Sequence, residues 1–206
     1  MLKIWGRKNS INVQKVMWTV GELGLPHTRI DAGMSHGVVD SALYRSLNPN
    51  GLVPTIEDGE AVLWESNVIV RYLAARHAMG TLMPRDPAGR ARAEMWMDWQ
   101  QNALMPGMSP LFLGLIRTPP EKRDMVAIRS GGESVEAALR ILDAHLAGRS
   151  YVADNHLTVA DIPLGCVVYR WYGLPIAHAE LPHLRAWYQR LVARPSFAQH
   201  VMLPLT

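Results

Sequence analysis

Hydrophobic positions in the first part of the chain alternate between the spacing of strands and the spacing of a helix. Residues 2–5 form a short apolar run, which is typical of a buried strand. From Val13 the apolar positions recur at helical spacing, and Gly24 and Pro26 predict the end of that helix. Residues 28–31 predict a second strand. The first unit is therefore βαβ, and its strands should be parallel.

The pattern then changes to a short helix and a hairpin. A polar loop precedes a predicted helix over 41–47, and two short strands follow at 55–57 and 61–64. The Asp58-Gly59 pair between those strands is a strong hairpin signal. A helix over 66–77 should turn four apolar residues inward: Val68, Ile69, Tyr72 and Leu73. The order βαβαββα predicts an α+β domain that resembles a thioredoxin-like domain.

Two prolines and a glycine within residues 82–89 indicate a boundary, and only helical patterning follows it. We therefore predict a thioredoxin-like domain over 1–78, a linker over 79–87 and an all-α domain over 88–206. The candidate helices of the second domain are 88–105, 120–147, 158–172 and 180–193. Pro106 and Pro110 are among the residues expected to interrupt or end helices.

Composition narrows the class of protein. With 206 residues, 49% of them hydrophobic and 19% charged, the chain is able to bury a substantial core. The 21 basic and 18 acidic residues give a net charge of +3 without basic clusters, which argues against nucleic acid as a partner. The sequence shows neither a signal segment nor an apolar stretch of membrane-spanning length. One cysteine leaves no intramolecular disulfide and no cysteine metal site, so we expect a metal-free cytoplasmic protein.

The most specific motif is NPNGLVP at residues 48–54, followed by Glu65 and Ser66. If the Val53-Pro54 bond is cis, the backbone of Val53 faces outward and is free to pair with an extended ligand. Ser66 begins a helix, where a hydroxyl and free N–H groups attract an anion. Taken alone, a trans proline opening an edge strand and a serine capping its own helix explain the same residues. Together they predict a clamp for a small peptide-like ligand with a carboxylate.

These motifs, together with Ser10, resemble the cytosolic glutathione transferase superfamily, and the resemblance extends over essentially the whole chain. It implies that the Val53-Pro54 bond is cis and that Val53 pairs with the backbone of glutathione. It also implies that Ser66 holds the γ-glutamyl carboxylate and Glu65 the neighbouring ammonium. As implied by the family, glutathione is a co-substrate and the protein is a homodimer.

The run SINVQKV at residues 10–16 resembles the serine-type active site of bacterial, theta-, phi- or nu-like members. Ser10 would then donate a hydrogen bond to the glutathione thiolate without attacking it. An ordinary helix cap is the alternative, and Asn12 competes for contact with the sulfur because some bacterial relatives use an Asn at that spacing. Cys166 lies in an apolar helical stretch, which indicates a buried and inert thiol.

Other positions are less specific. Leu52 stands where many relatives have Gln or Lys, and His36 is the candidate for the glycyl carboxylate, although a solvated loop residue explains it as well. Asp98 is either a surface charge or an acid that reaches the partner's ligand. Thr158 and Asp161 form a capping box, which predicts a structural role for Asp161.

The acceptor substrate should lie against the helical domain, along an apolar, Met-rich lining that a core stripe would also explain. The candidate acceptor residues are Met105, Met108, Leu111, Phe112 and Arg117. The resemblance implies a glutathione transferase that conjugates glutathione to a small hydrophobic electrophile. A glutathione-dependent disulfide reductase with Asn12 at the sulfur, and a non-catalytic ligand-binding protein, remain the alternatives.

Overall fold

The computed structural model describes all 206 residues. It begins with a four-stranded sheet of strand order β2-β1-β3-β4, in which β1 and β2 are parallel and the other pairs antiparallel. The strands are β1 (Leu2–Trp5), β2 (His27–Ile30), β3 (Thr55–Asp58) and β4 (Ala61–Trp64). The helices of this part are α1 (Ile11–Leu23), α2 (Ala42–Leu47) and α3 (Ser66–His77). The predicted α+β order βαβαββα is confirmed.

Local signals account for most of these boundaries. Gly24 ends α1 in the left-handed region at φ 60°, a conformation that favours glycine. The Ser41 hydroxyl caps α2 by accepting a hydrogen bond from the N–H of Tyr44 at 3.2 Å. One expectation for α3 is wrong: Val68 is 44% exposed, whereas Val70 is fully buried. Since Ile69 and Leu73 do face the core, the buried stripe is displaced by one position from the predicted one.

The rest of the chain is helical. Its helices are α4 (Pro87–Trp99), α5 (Met105–Phe112), α6 (Met125–Leu146), α7 (Asp161–Gly173), α8 (Pro182–Val192) and α9 (Pro195–His200). None of the helices combines the length and the apolarity that crossing a membrane requires.

Contrary to the prediction, Pro106 and Pro110 do not interrupt the helical path. Wider π-helical segments, Gln100–Leu104 and Leu113–Arg117, flank α5, so the chain stays helical from α4 to Arg117. A proline inside a helix lacks the N–H that would donate to the carbonyl four residues earlier, and its ring collides with that carbonyl. The π-helical segments widen the helix beside these prolines. The result is a long, locally widened helix whose α5 portion packs on α6.

Helix α1 joins the two halves of the molecule. On one side its residues Val13 and Val16 pack with Ile4 of β1 and Ile69 of α3 in the smaller core. On the other side Trp18 is fully buried in the core of the helical domain. The beginning of α1 therefore lies at the junction of the two cores, and it carries Ser10 and Asn12.

Asp161 begins α7 and is fully buried. Its carboxylate accepts hydrogen bonds from the N–H groups of Val152 (3.0 Å) and Thr158 (2.9 Å), from the Thr158 hydroxyl (3.2 Å) and from the Trp187 indole (2.9 Å). Burial raises the pKa of this carboxyl, and the donors counteract that effect. The hydroxyl of Thr158 donates here instead of capping the helix, so the predicted capping box is only half formed. These contacts are consistent with the predicted structural role.

Candidate active site

In the loop before β3, the half-buried Val53 lines a small cavity. Tyr44 and Asn48 hold the preceding carbonyl inward, because the Tyr44 hydroxyl (2.6 Å) and the Asn48 Nδ2 (2.9 Å) both donate to the oxygen of Leu52. The Val53-Pro54 peptide bond is cis, as the family resemblance implies. Neither main-chain group of Val53 pairs with another backbone group of the protein. An extended ligand can therefore pair with Val53 without displacing an internal backbone hydrogen bond.

Helix α3 begins beside this loop without a side-chain cap. Glu65 holds the N-cap position at φ 68°, and Ser66 is the first residue of the helix. The Ser66 hydroxyl donates to Oδ1 of Asn12 at 3.2 Å instead of capping its own helix. The orphan N–H groups and the positive end of the helix dipole are thus left for an anion.

A buried lysine lies beneath Ser66. Lys15 is fully buried, and its Nζ donates to Oε1 of Gln100 at 3.3 Å and to Oγ of Ser66 at 3.5 Å. Burial lowers the pKa of Lys15 to about 8. Its hydrogen-bond partners are neutral, and the attraction of the Glu65 carboxylate only partly counteracts the effect of burial. A carboxylate bound at Ser66 would add further opposite charge. Lys15 is not among the residues predicted from the sequence, although a lysine on the apolar face of α1 is a usable signal.

Two cavities meet at Asn12. The first, about 50 Å³, lies between the Val53 loop and the start of α3 and includes Val53, Pro54, Glu65 and Ser66. The second, about 190 Å³, lies between the start of α1 and the helical domain. Its residues include Arg7, Ser10, Asn12, Met105, Met108, Ser109, Phe112, Leu113, Arg117 and Arg170. The first has the groups for a ligand's backbone and carboxylate, and the second combines apolar side chains with three arginines.

Ser10 and Asn12 retain hydrogen-bond donors at this junction. Ser10 is the N-cap residue of α1 and only 7% exposed, yet its side chain makes no capping hydrogen bond. Oδ1 of Asn12 is occupied by the Ser66 hydroxyl, which turns the amide nitrogen of Asn12 toward a different partner. A sulfur atom between the two cavities would meet a hydroxyl, an amide and a helix N-terminus.

The structure brings together most, but not all, of the residues predicted from the sequence. Met105, Met108, Phe112 and Arg117 share the second cavity with Ser10. Leu111 does not belong there: it lines a separate cavity of about 470 Å³ that also contacts α6 and α7, because it projects from another face of α5.

His36 is also separated from the Val53 loop. It lines a third cavity of about 430 Å³ together with Arg7 and Arg29, and its Nε2 lies 3.9 Å from Oδ1 of Asp31. Asp98 pairs with Arg71 of α3 within the same chain.

The remaining charged and reactive groups near the site are Arg170 and Cys166. The Arg170 guanidinium lies 4.0 Å above the centroid of the Phe112 ring, and its Nη2 donates to the oxygen of Asn9 at 3.2 Å. Arg170 is not among the residues predicted from the sequence, although a single arginine within the apolar helix α7 is a usable signal. Cys166 is fully buried as predicted, and burial raises the pKa of its thiol to about 12.

Two family models, which together cover most of the chain, show that it belongs to the glutathione S-transferase family. The family model described as "Glutathione S-transferase, N-terminal domain" matches residues 9–76, and "Glutathione S-transferase, C-terminal domain" matches residues 104–195.

Individual relatives match over nearly their full length. The chain is 41% identical to glutathione S-transferase GstB of Escherichia coli, over 100% of both chains. It is 31% identical to glutathione S-transferase 3 of Zea mays, covering 97% of this chain and 93% of that protein. It is also similar to the crystal structure of a theta class glutathione S-transferase from Xanthomonas axonopodis pv. citri with glutathione bound. That match has 45% identity and a TM-score of 0.96, and it covers 100% of this chain and 99% of the other.

Proposed function

We propose that this protein binds glutathione across the first cavity, lowers the pKa of its thiol and conjugates it to an electrophile in the second cavity. The observation that carries the proposal is the pair of available donors, the Ser10 hydroxyl and the Asn12 amide, where the two cavities meet. The family membership and the glutathione-bound Xanthomonas structure support it.

The cysteinyl and γ-glutamyl parts of glutathione fit the polar groups of the first cavity. Its cysteinyl backbone needs a donor and an acceptor, which the unpaired main chain of Val53 supplies. Its γ-glutamyl carboxylate needs positive charge, which the start of α3 and Lys15 below Ser66 supply. Its ammonium group fits the exposed carboxylate of Glu65. We assign no group to the glycyl carboxylate in this cavity, since His36 lies elsewhere.

Activation requires a modest free energy. A free thiol has a pKa of about 8.5, so only a few per cent is thiolate at neutral pH. Lowering that pKa by two units takes about 2.7 kcal/mol of preferential stabilisation of the thiolate. Hydrogen bonds to a charged acceptor contribute about 1.5–3 kcal/mol each, so one or two donors at the start of α1 suffice. No base is required, because the thiol proton leaves to solvent.

The molecule also has an apolar surface suited to pairing with a second copy. Val62 and Trp64 on the edge strand β4, Val68 on α3 and Met95 on α4 are each at least 39% exposed. Arg71 ties α3 to α4 through Glu94 and Asp98, so these elements form one connected surface. We propose a homodimer through this surface, which sedimentation of the wild type and of Trp64→Lys tests.

We also propose a cytoplasmic location, where glutathione is abundant in reduced form.

Single substitutions test the catalytic proposal. Asn12→Ala or Ser10→Ala should lower kcat/KM for a neutral model electrophile by about a hundredfold, since that corresponds to about 2.7 kcal/mol of transition-state stabilisation. Steady-state kinetics at saturating glutathione measures it, with glutathione affinity measured separately. Ser46→Ala is the matched control, because its hydroxyl is exposed and donates to the Leu43 oxygen away from the cavities.

Different results separate the alternatives. Loss in Asn12→Ala alone, with turnover of a mixed disulfide, would favour the disulfide reductase, because Asn12 contacts both cavities. Full activity in both variants would contradict the proposed mechanism. Glutathione binding without any turnover would instead favour the non-catalytic protein.

A further inference from the structure

A chain of hydrogen-bonded side chains leads from the helical domain to the start of α1. Gln100, the first residue of the π-helical segment after α4, is fully buried, and its Oε1 accepts a hydrogen bond from Nζ of Lys15 at 3.3 Å. Nζ of Lys15 also donates to Oγ of Ser66 at 3.5 Å, and the Ser66 hydroxyl donates to Oδ1 of Asn12 at 3.2 Å. The chain therefore ends at Asn12, where the two cavities meet.

The ammonium of Lys15 fixes the direction of these hydrogen bonds. An ammonium group has three donors and no acceptor, so the Ser66 oxygen can only accept from it. The single hydroxyl hydrogen of Ser66 remains for another acceptor, and Oδ1 of Asn12 takes it. Because the oxygen of the Asn12 amide is engaged in this way, its nitrogen is directed away from Ser66.

The opposite orientation of the amide would have the opposite effect on a thiolate. Turned over, the Asn12 amide would bring its Nδ2 to the Ser66 oxygen and leave Oδ1 facing the cavities. An amide oxygen repels a thiolate, whereas the N–H groups of the amide stabilise it. The positive charge of Lys15 opposes the turned orientation, because it attracts the negative end of the amide dipole toward Ser66.

Burial strengthens this electrostatic preference. Lys15 is fully buried, Ser66 is 6% exposed, and hydrogen bonds among buried groups are electrostatically stronger than those in water. Burial also lowers the pKa of Lys15 to about 8, which the nearby Glu65 carboxylate partly counteracts. A ligand carboxylate at the start of α3 would favour the charged form further. Binding of glutathione would therefore secure the ammonium on which the orientation of Asn12 depends.

Resting on the transferase function proposed above, we propose that Lys15 is a positioning residue for thiol activation. Its ammonium sets the direction of the Ser66 hydroxyl, and that hydroxyl holds the Asn12 amide with its nitrogen toward the glutathione sulfur. Lys15 lines neither cavity, so it acts on the sulfur through Asn12 and not by contact. The subsites for the γ-glutamyl carboxylate and for the sulfur are thereby connected, and occupation of the first prepares the second.

The thiol of bound glutathione measures the positioning role. Thiolate absorbance followed against pH at saturating protein gives its pKa, which Lys15→Met should raise by about one unit, the effect of losing one hydrogen bond to a charged acceptor. In the Asn12→Ala background, Lys15→Met should raise this pKa by less than about 0.3 unit, because the group that Lys15 positions is absent. Methionine is unbranched and uncharged, so it fills the space of the lysine without its ammonium.

The affinity for glutathione measures the direct attraction between Lys15 and the ligand carboxylate. S-methylglutathione is the probe, since it keeps that carboxylate and has no thiol to ionise. We expect Lys15→Met to raise the Kd of this probe by about tenfold, both with Asn12 present and in the Asn12→Ala background. An effect on the thiol that depends on Asn12, together with an effect on affinity that does not, distinguishes positioning from a general disturbance of the site.

Two further variants exclude a structural explanation. Thr19→Val is the control, because Thr19 is fully buried one turn further along α1 and its hydroxyl donates to the main-chain oxygen of Lys15. It should change neither the thiol pKa nor the Kd. Ser66→Ala removes the middle link, so Lys15→Met should leave the thiol pKa nearly unchanged in that background. If thermal melts show that Lys15→Met does not fold, Ser66→Ala and Asn12→Ala, singly and combined, test the same chain and should be less than additive.

The outcomes separate this inference from the function on which it rests. An unchanged thiol pKa in Lys15→Met would overturn the positioning role while the transferase stands. An equal rise with and without Asn12 would assign the effect to the direct field of the charge, which also overturns it. So would a thiol shift that Ser10→Ala abolishes and Asn12→Ala leaves intact. Wild-type protein that binds neither glutathione nor S-methylglutathione would overturn the transferase itself.

Discussion

Three helices that begin away from the candidate site, α2, α4 and α6, have a side-chain cap that the two helices at the site lack. Helices α5, α7, α8 and α9 are uncapped as well. Ser41, Asp86 and Asp124 cap α2, α4 and α6 by accepting hydrogen bonds from first-turn N–H groups. The starts of α1 and α3, at Ser10 and Glu65, have no side-chain cap. Capping contributes about 1 kcal/mol to stability, so its absence at two adjacent helix starts leaves donors free where a ligand would need them.

Asp161 is a second residue to compare with Ser10 and Asn12, because it is polar, buried and at the start of a helix. Its carboxylate accepts hydrogen bonds from four donors of the protein. Ser10 and Asn12 lie at a helix start too, but they face cavities and keep donors available. A polar group whose partners lie within the protein indicates a structural role, and one without them indicates a ligand.

The largest effect on stability should follow Asp161→Ala. It removes the acceptor of Val152, Thr158 and Trp187 and leaves buried donors unpaired, which costs about 3–5 kcal/mol in free energy of unfolding. Urea denaturation measures it. Asp154→Ala, at an exposed aspartate in the preceding loop, is the control and should change stability little. A loss below about 1 kcal/mol for Asp161→Ala would show that the network is not structural.

The burial of Lys15 should make the free energy of unfolding depend on pH, by about 3 kcal/mol. Its pKa in the folded protein is about 8, below the ordinary 10.5, so folding penalises the charged form. The penalty is complete below pH 8 and disappears as the pH rises toward 10.5. The free energy of unfolding of the wild type should therefore rise by about 3 kcal/mol, relative to that of Lys15→Met, between pH 8 and pH 10.5.

Denaturation at several pH values measures this difference, because comparison with the variant cancels the effects of other groups. Lys122→Met, at an exposed lysine, should show no such trend. A constant difference between wild type and Lys15→Met from pH 7 to 10.5 would contradict the assigned burial of the charge.

The smallest expected change in stability concerns the two serines that precede α1 and α2. Ser41→Ala should lower the free energy of unfolding by about 1 kcal/mol, since it removes the cap of α2. Ser10→Ala should change it by less than about 0.5 kcal/mol, because no capping bond is lost. Equal losses in the two variants would indicate that Ser10 caps α1 in solution.

Local signals predicted the sheet and the hairpin, because turns, prolines and period-two alternation act over few residues. Pro106 and Pro110 misled the prediction, since π-helical segments around α5 are a tertiary accommodation that leaves no clear pattern in the sequence. The faces of α5 and α3 were also predicted imperfectly, for Leu111 and Val68, because the neighbouring elements decide which side is buried.

The site was predictable where one motif holds its residues close together, as with Val53 and Ser66. Lys15, Arg7 and Arg170 were missed because their meaning depends on what surrounds them in three dimensions. A charged residue in an apolar helical run, such as Arg170, is a usable signal. Its partners cannot be identified until the fold brings α7 next to Phe112.

The most direct test of the account is the ionisation of glutathione on the protein, followed by thiolate absorbance against pH at saturating protein. We predict that bound glutathione ionises at least about one pH unit below free glutathione and that the double variant Ser10→Ala/Asn12→Ala returns it toward the free value. Binding without a shift in wild type, or an undiminished shift in the double variant, would contradict the claim that the free donors at the start of α1 stabilise the thiolate.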